Sequence, residues 1–178
     1  CSSDLVAPNG AYKSQSDHPA LPLSAQALAQ TARACLDAGA AMLHMHVRDA
    51  QGRHSLDVVL YREAIAAVKA AVGDELLIQV TSEAARIYGP QEQVAMMHAL
   101  HPEAVSVALR EVSAAPHREE DVADLFNWLA REHILTQVIL YDVTDVENWL
   151  ALRARGVIPA GPWSLLFVLG RYAAGQVS

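Results

Sequence analysis

Residues 40–49 read AAMLHMHVRD, an apolar run broken by His44 and His46 and closed by Arg48 and Asp49. On a β-strand, residues i and i+2 point to the same side. The two imidazoles therefore share a face, and Met45 and Val47 take the other. Their Cα atoms would stand roughly 6.5–7 Å apart, close enough to meet on one ion at about 2.1 Å per bond. Burying an imidazole without a partner is costly, and a metal supplies the partner. Imidazole suits zinc and other late first-row metals. The alternative is a pair of core histidines bonded to backbone or carboxylates. Arg48 and Asp49 either orient the histidines from behind or pair with each other at the strand end. The other histidines are weaker candidates. His18 precedes Pro19 in a loop, and His98 and His101 flank a helix end, where a cation suits the dipole. His54, His117 and His133 read as surface positions.

A histidine pair of this kind needs a strand with covered flanks, and the chain offers a series of them. DLVAPN reads as a first strand, followed by a loop rich in Ser, Asp and Pro. Ser24 caps a helix running to about residue 38, where Gly39 stops it. AAMLHMHV is the second strand, and Ser55 opens a helix ending near Val72. LLIQVT is the third strand, and Gly89-Pro90 starts the next helix. AVSVAL is the fourth strand, and a helix follows over residues 119–132. TQVILYD is the fifth strand, Thr144 with Glu147 forms a capping box for a helix that stops at Gly156, and WSLLFVLG is the sixth strand.

Strict alternation with near-continuous apolar strands argues for a parallel sheet covered by helices. A dinucleotide-binding sheet would carry G-x-G-x-x-G after its first strand, and APNGAY does not supply it. A TIM barrel gathers its chemistry at the C-terminal ends of its strands. Those ends read Asn9, His44 and His46, Thr81, Ser106 to Arg110, Tyr141-Asp142 and Gly170-Arg171. The expected fold is an α/β TIM (β/α)8 barrel, incomplete here with about six βα units. Residues 1–178 would form a single domain.

Composition narrows the function classes. The chain has 178 residues, 52% apolar and 19% charged, which excludes disorder. A net charge of -7 with no basic cluster opposes nucleic-acid binding. The apolar runs are too short to cross a membrane, so a soluble, cytoplasmic protein is expected. Cys1 and Cys35 cannot form a disulfide framework, and Cys35 in TARACLDAG reads as a small buried hydrophobe. The start, CSSD, fits a trimmed chain or the processed end of a lipoprotein.

APNGA, DHPALP, AGAAMLHMHVRDAQGRHS, LLIQVTSEA, HPEAVSVALRE and LLFVLGRY together resemble the β-keto acid cleavage enzymes (3-keto-5-aminohexanoate cleavage enzyme-like). The likeness runs along nearly all of the chain. Its most specific piece is H-x-H-V-R with the upstream A-G-A. The resemblance implies a TIM barrel with Zn2+ and a reaction in which a β-keto acid and acetyl-CoA give acetoacetate and an acyl-CoA. It makes His44 and His46 metal ligands, and Asn9, Tyr12, Thr81 and Ser106 substrate-binding positions. Read without it, Thr81 is an ordinary β-branched strand residue and Ser106 a small polar filler. A metal that chelates a β-keto acid through its carboxylate and keto oxygens stabilises the enolate, and that carbanion attacks the thioester carbonyl.

Two departures matter. Relatives that take an amino-bearing substrate place carboxylates after strand one and on strand five. Tyr12 and Ile139 stand there instead, which favours a neutral or apolar β-keto acid; a slip of two residues would bring in Gln137. The family's third zinc ligand, a Glu, its catalytic Asp and a substrate-binding Arg belong to a segment expected beyond Ser178. No catalytic residue is identifiable in this chain, and the 178 residues are expected to be part of a longer one. Arg110 and Glu111 replace a small polar stretch, and either reach into the site or form a surface ion pair. The expected partners are a small-molecule β-keto acid, a CoA thioester and further copies in a homo-oligomer. Two other readings compete. One is a different metal-dependent TIM-barrel hydrolase or aldolase, which typically carries H-x-H on its first strand. The other is a catalytically inactive barrel remnant with a binding role.

Overall fold

All six apolar runs become strands, and they are parallel. The computed structural model describes residues 4–168. The chain divides into two compact units, residues 1–81 with 95–104 and residues 82–94 with 105–178.

In the first unit, β1 (Leu5–Val6) leads through a long loop to α1 (Ala25–Asp37). Ser24 caps α1 as expected, its hydroxyl accepting from the Ala27 N–H at 3.2 Å. β2 (Met42–Met45) follows, then β3 (Val47–Arg48), β4 (His54–Ser55), α2 (Val58–Val72) and β5 (Leu77–Thr81). The parallel order is β1-β2-β5, with Leu5 opposite Met42 and His44 opposite Gln79. β1 is shorter than the apolar run that encodes it. Pro8 lacks an N–H and cannot continue a ladder.

The stretch before α2 differs from expectation. Ser55 does not open that helix; Asp57 does, accepting from the Val59 N–H at 2.7 Å. Ser55 instead belongs to an antiparallel hairpin, β3 with β4, in which Val47 faces Ser55 and Arg48 faces His54. Asp49 closes the turn by accepting from the N–H groups of Gln51 and Arg53, each at 2.9 Å. The core of this unit joins Leu28 of α1, Leu43 and Met45 of β2, Tyr61 and Val68 of α2, and Ile78 and Val80 of β5.

The next elements are α3 (Pro90–Leu100), whose residues from Ala95 on belong to the first unit, and β6 (Ala104–Ala108). β6 is buried throughout, four apolar residues around the small polar Ser106. Then come α4 (Leu109–Val112), a short turn not anticipated, α5 (Glu119–Arg131), β7 (Leu135–Leu140), α6 (Val143–Ala154) and β8 (Ser164–Phe167). The order in the second unit is β6-β7-β8. Phe126, Trp149 and Trp163 cluster at its centre, with ring centroids 5.2 and 6.1 Å apart, and Leu109, Val138, Leu140 and Leu152 surround them. The cap of α6 is Asp142, accepting from the Asp145 N–H at 3.1 Å, rather than Thr144. Gly170 and Arg171 lie outside the described residues. Among the described residues, no helix is long and apolar enough to cross a membrane.

Candidate functional site

His44 and His46 do converge, and different parts of the chain hold each of them. His44 sits inside the β2 ladder, directly opposite Gln79 of β5. Gln79 is 0% exposed, and its Oε1 lies 2.8 Å from His44 Nδ1. An amide oxygen only accepts, so Nδ1 carries the proton. In the neutral ring this leaves Nε2 of His44 with its lone pair. That atom faces Nε2 of His46 at 3.1 Å, and the ring planes meet at 76°.

His46 lies one residue past the end of β2. Asn9 takes the place of the missing ladder. Its Oδ1 accepts the His46 N–H at 3.0 Å, and its Nδ2 donates to the His46 carbonyl at 3.0 Å and to the Pro22 carbonyl at 2.9 Å. Expected to touch substrate, Asn9 has its amide engaged with backbone and positions a histidine. The ring of His46 packs on that of His54, with centroids 5.3 Å apart. His54 is 4% exposed, not the surface position that its sequence suggests. The hairpin folds it inward opposite Arg48.

The residues after the histidines turn away from them. Arg48 donates to the carbonyls of Gly10 and Lys13, which pins the loop that carries Tyr12, and burial pulls its guanidinium below its ordinary pKa. Asp49 accepts from the Arg53 backbone, which holds its carboxyl below the usual range, and it also pairs with the Arg53 side chain. The hydrogen bonds of Arg48 and Asp49 thus reach neither each other nor the imidazoles. Tyr12 is 58% exposed. Thr81 is buried at the end of β5, where its carbonyl accepts from the Tyr61 hydroxyl at 3.0 Å.

In the second unit, Ser106 is 2% exposed. Its Oγ has no hydrogen-bond partner among the described residues. Its carbonyl accepts from both the N–H and the hydroxyl of Ser82, at 3.2 and 2.9 Å. Arg110 and Glu111 do not pair with each other. Arg110 Nε donates to both oxygens of Asp145, at 3.1 and 2.9 Å, a second nitrogen bonds Asp142, and the guanidinium lies over the Tyr141 ring. Glu111 accepts from the Ala84 N–H at 3.0 Å and from Gln93 at 2.9 Å.

Sequence reasoning missed Gln79 and His54. Each had a signal. A glutamine inside LLIQVT needs a buried partner. Asp49-Ala50-Gln51-Gly52-Arg53 between VR and HS is a hairpin turn. Among the described residues, no group of three or more His, Cys, Asp or Glu side chains is arranged to hold a metal ion.

Comparison with known proteins gives the family and the fold. A 3-oxoadipate:acetyl-CoA acetyltransferase of Cupriavidus necator is 26% identical over 170 residues, covering 93% of this chain and 58% of the relative. Solved structures of ObcA, one without ligand and one a ternary complex with a C4-CoA adduct and oxalate, each superpose with a TM-score of 0.62 at 16% identity. They cover 83% of this chain and 36% and 37% of theirs. A dipeptide epimerase from Enterococcus faecalis V583 gives a TM-score of 0.50 at 15% identity, over 88% of this chain and 37% of its own. The chain thus spans little more than half the length of the curated relative and about a third of the ObcA chains. The structural neighbours are TIM-barrel enzymes, so the expected fold class holds, with six parallel strands present. The model that defines the beta-keto acid cleavage enzymes matches residues 5–178, and with so little of the sequence left outside the match, the chain belongs to that family.

Proposed function

We propose that this chain carries the metal-holding part of a zinc-dependent enzyme that condenses a β-keto acid with acetyl-CoA, giving acetoacetate and an acyl-CoA. Family membership supports the reaction class, and the name of the C. necator relative supports acetyl-CoA as co-substrate.

The approach of the two Nε2 atoms to 3.1 Å carries the reading. Two bonds of about 2.1 Å meeting at about 90–109° span about 3.0–3.4 Å, so the residues fit one shared ion. When bound, zinc would supply a Lewis acid that stabilises the enolate of a β-keto acid. The chain's own residues prepare for it. Gln79 keeps the proton on Nδ1 of His44 and so presents Nε2. Asn9 fixes the backbone of His46. Arg48 holds the loop bearing Tyr12, which we assign to the substrate along with Thr81 and Ser106. Further ligands and the general base are assigned outside the described residues. With Tyr12 and Ile139 where an ammonium group would need carboxylates, the substrate is assigned as a β-keto acid without an amino group.

The test is a panel of β-keto acids with acetyl-CoA and the complete gene product, the CoA products being read by mass spectrometry. Acyl-CoA from acids without an amino group is expected. Preference for an amino-bearing acid would overturn the substrate assignment, and no acetoacetate from any acid would overturn the reaction.

A further inference from the structure

We infer that His54 is a positioning residue for His46, its ring holding the second imidazole at the angle from which it meets the first. This rests on the metal reading above. Asn9 anchors the backbone of His46, and the two side-chain torsions depend on what its ring meets, which includes the ring of His44 at one nitrogen and the ring of His54.

The ring of His54 is placed to set them. Its centroid lies 5.3 Å from that of His46, with the planes at 61°, within the edge-to-face range of about 4.5–7 Å. His54 cannot easily move away. Both residues of its strand are paired with β3, the Asp49 N–H donates to the Arg53 carbonyl at 2.9 Å across the turn, and Asp49 pairs with the Arg53 side chain. A direct role as third ligand does not match the geometry, because no three such side chains are arranged around one point among the described residues. The hairpin that brings in His54 also bears Arg48, which pins the loop after β1. One small element thereby orders both the second ligand and the loop that follows the first strand.

Three substitutions separate ring shape from volume and from imidazole chemistry. His54→Phe keeps an edge-to-face ring, His54→Leu keeps buried volume without a ring, and His54→Ala keeps neither. Zinc affinity, read by competition with a chromophoric chelator, should fall about tenfold in His54→Leu and His54→Ala and stay within about twofold of the parent in His54→Phe. The visible spectrum of the cobalt(II) form should change in the first two and not in the third. In metal-free protein, 13C relaxation at the His46 ring should show lost order in His54→Leu and His54→Ala and not in His54→Phe. Parent-like affinity in His54→Leu would overturn the inference. So would equal loss in His54→Phe, which would assign the effect to the imidazole nitrogens, or abolished binding in all three, which would make His54 a ligand. If the parent takes up no zinc, the metal reading fails by itself. The metal-free ring order then decides, and a His46 ring as rigid in His54→Leu as in the parent sinks the inference.

Discussion

The histidine cluster of the first unit and the arginine cluster of the second both sit at strand ends, and they are balanced in opposite ways. Around Arg110, one cation meets the carboxylates of Asp142 and Asp145 and lies over Tyr141. Asp145 also takes the Tyr141 N–H at 2.8 Å. Opposite charges meet within the protein, and the result is a joint between α4, the end of β7 and α6. Around His44 and His46, two nitrogens of the same kind face each other at 3.1 Å, and only one proton fits between them. Their supports, Asn9 and Gln79, are neutral amides that orient without neutralising. Opposite charges close on each other, whereas two lone-pair nitrogens brought together fit the shared ion proposed above.

The contrast can be broken at either end. The largest effect is expected at the histidines. His44→Ala and His46→Ala should each lower zinc affinity by more than about 100-fold with the fold intact, and near-stoichiometric zinc in both variants by elemental analysis would erase the distinction. Next comes the arginine cluster. Asp145→Ala leaves the buried Tyr141 N–H without its acceptor and the Arg110 guanidinium with Asp142 alone, and should cost roughly 2 kcal/mol in urea unfolding with zinc affinity unchanged. A fall in affinity would mean that the two clusters are not independent. A smaller effect tests the amide support. Gln79→Leu should weaken zinc by about tenfold, while Gln79→Glu, which still accepts from Nδ1, should not. Equal loss in both would point to packing rather than to the proton on His44.

The smallest effect concerns pH. The hydrogen bond from Arg110 is the main influence holding the Asp142 carboxyl below its ordinary pKa. A carboxyl lowered on folding contributes stability above its unfolded value, near pH 4, and loses it as pH falls through the lowered folded value. Asp142→Asn, which keeps the helix cap, should flatten the acid end of the urea midpoint between pH 6 and pH 3. An unchanged slope would leave Asp142 with the cap alone.

What could be read in the sequence was what is local. The histidine pair was legible because strand periodicity fixes which residues share a face. The helix starts at Ser24 and Pro90 were legible because caps and breakers act over one turn. Partners 35 residues away were not. Gln79 meets His44, and Arg110 meets Asp145, only once strand register is set. Ser55 and Thr144 misled because each is a good cap lying close to an aspartate that does the capping. His54 reads as a surface position in the sequence because the five residues 49–53 between two short runs give a hairpin turn that is easily missed.

The amide of Asn9 ties the segment that bears His46 to the loop after β1 through a side chain, and this gives the proposed site a thermodynamic link to local unfolding. When residues 4–9 peel away, the N–H of His46 loses its acceptor and its ring the placement that goes with it. Whatever binds the ordered histidines must therefore stabilise the first strand by the same free energy with which that strand favours binding. The His46 amide is a built-in gauge of that exchange. Its hydrogen-exchange rate counts the openings of β1 directly and should fall in proportion as the site fills.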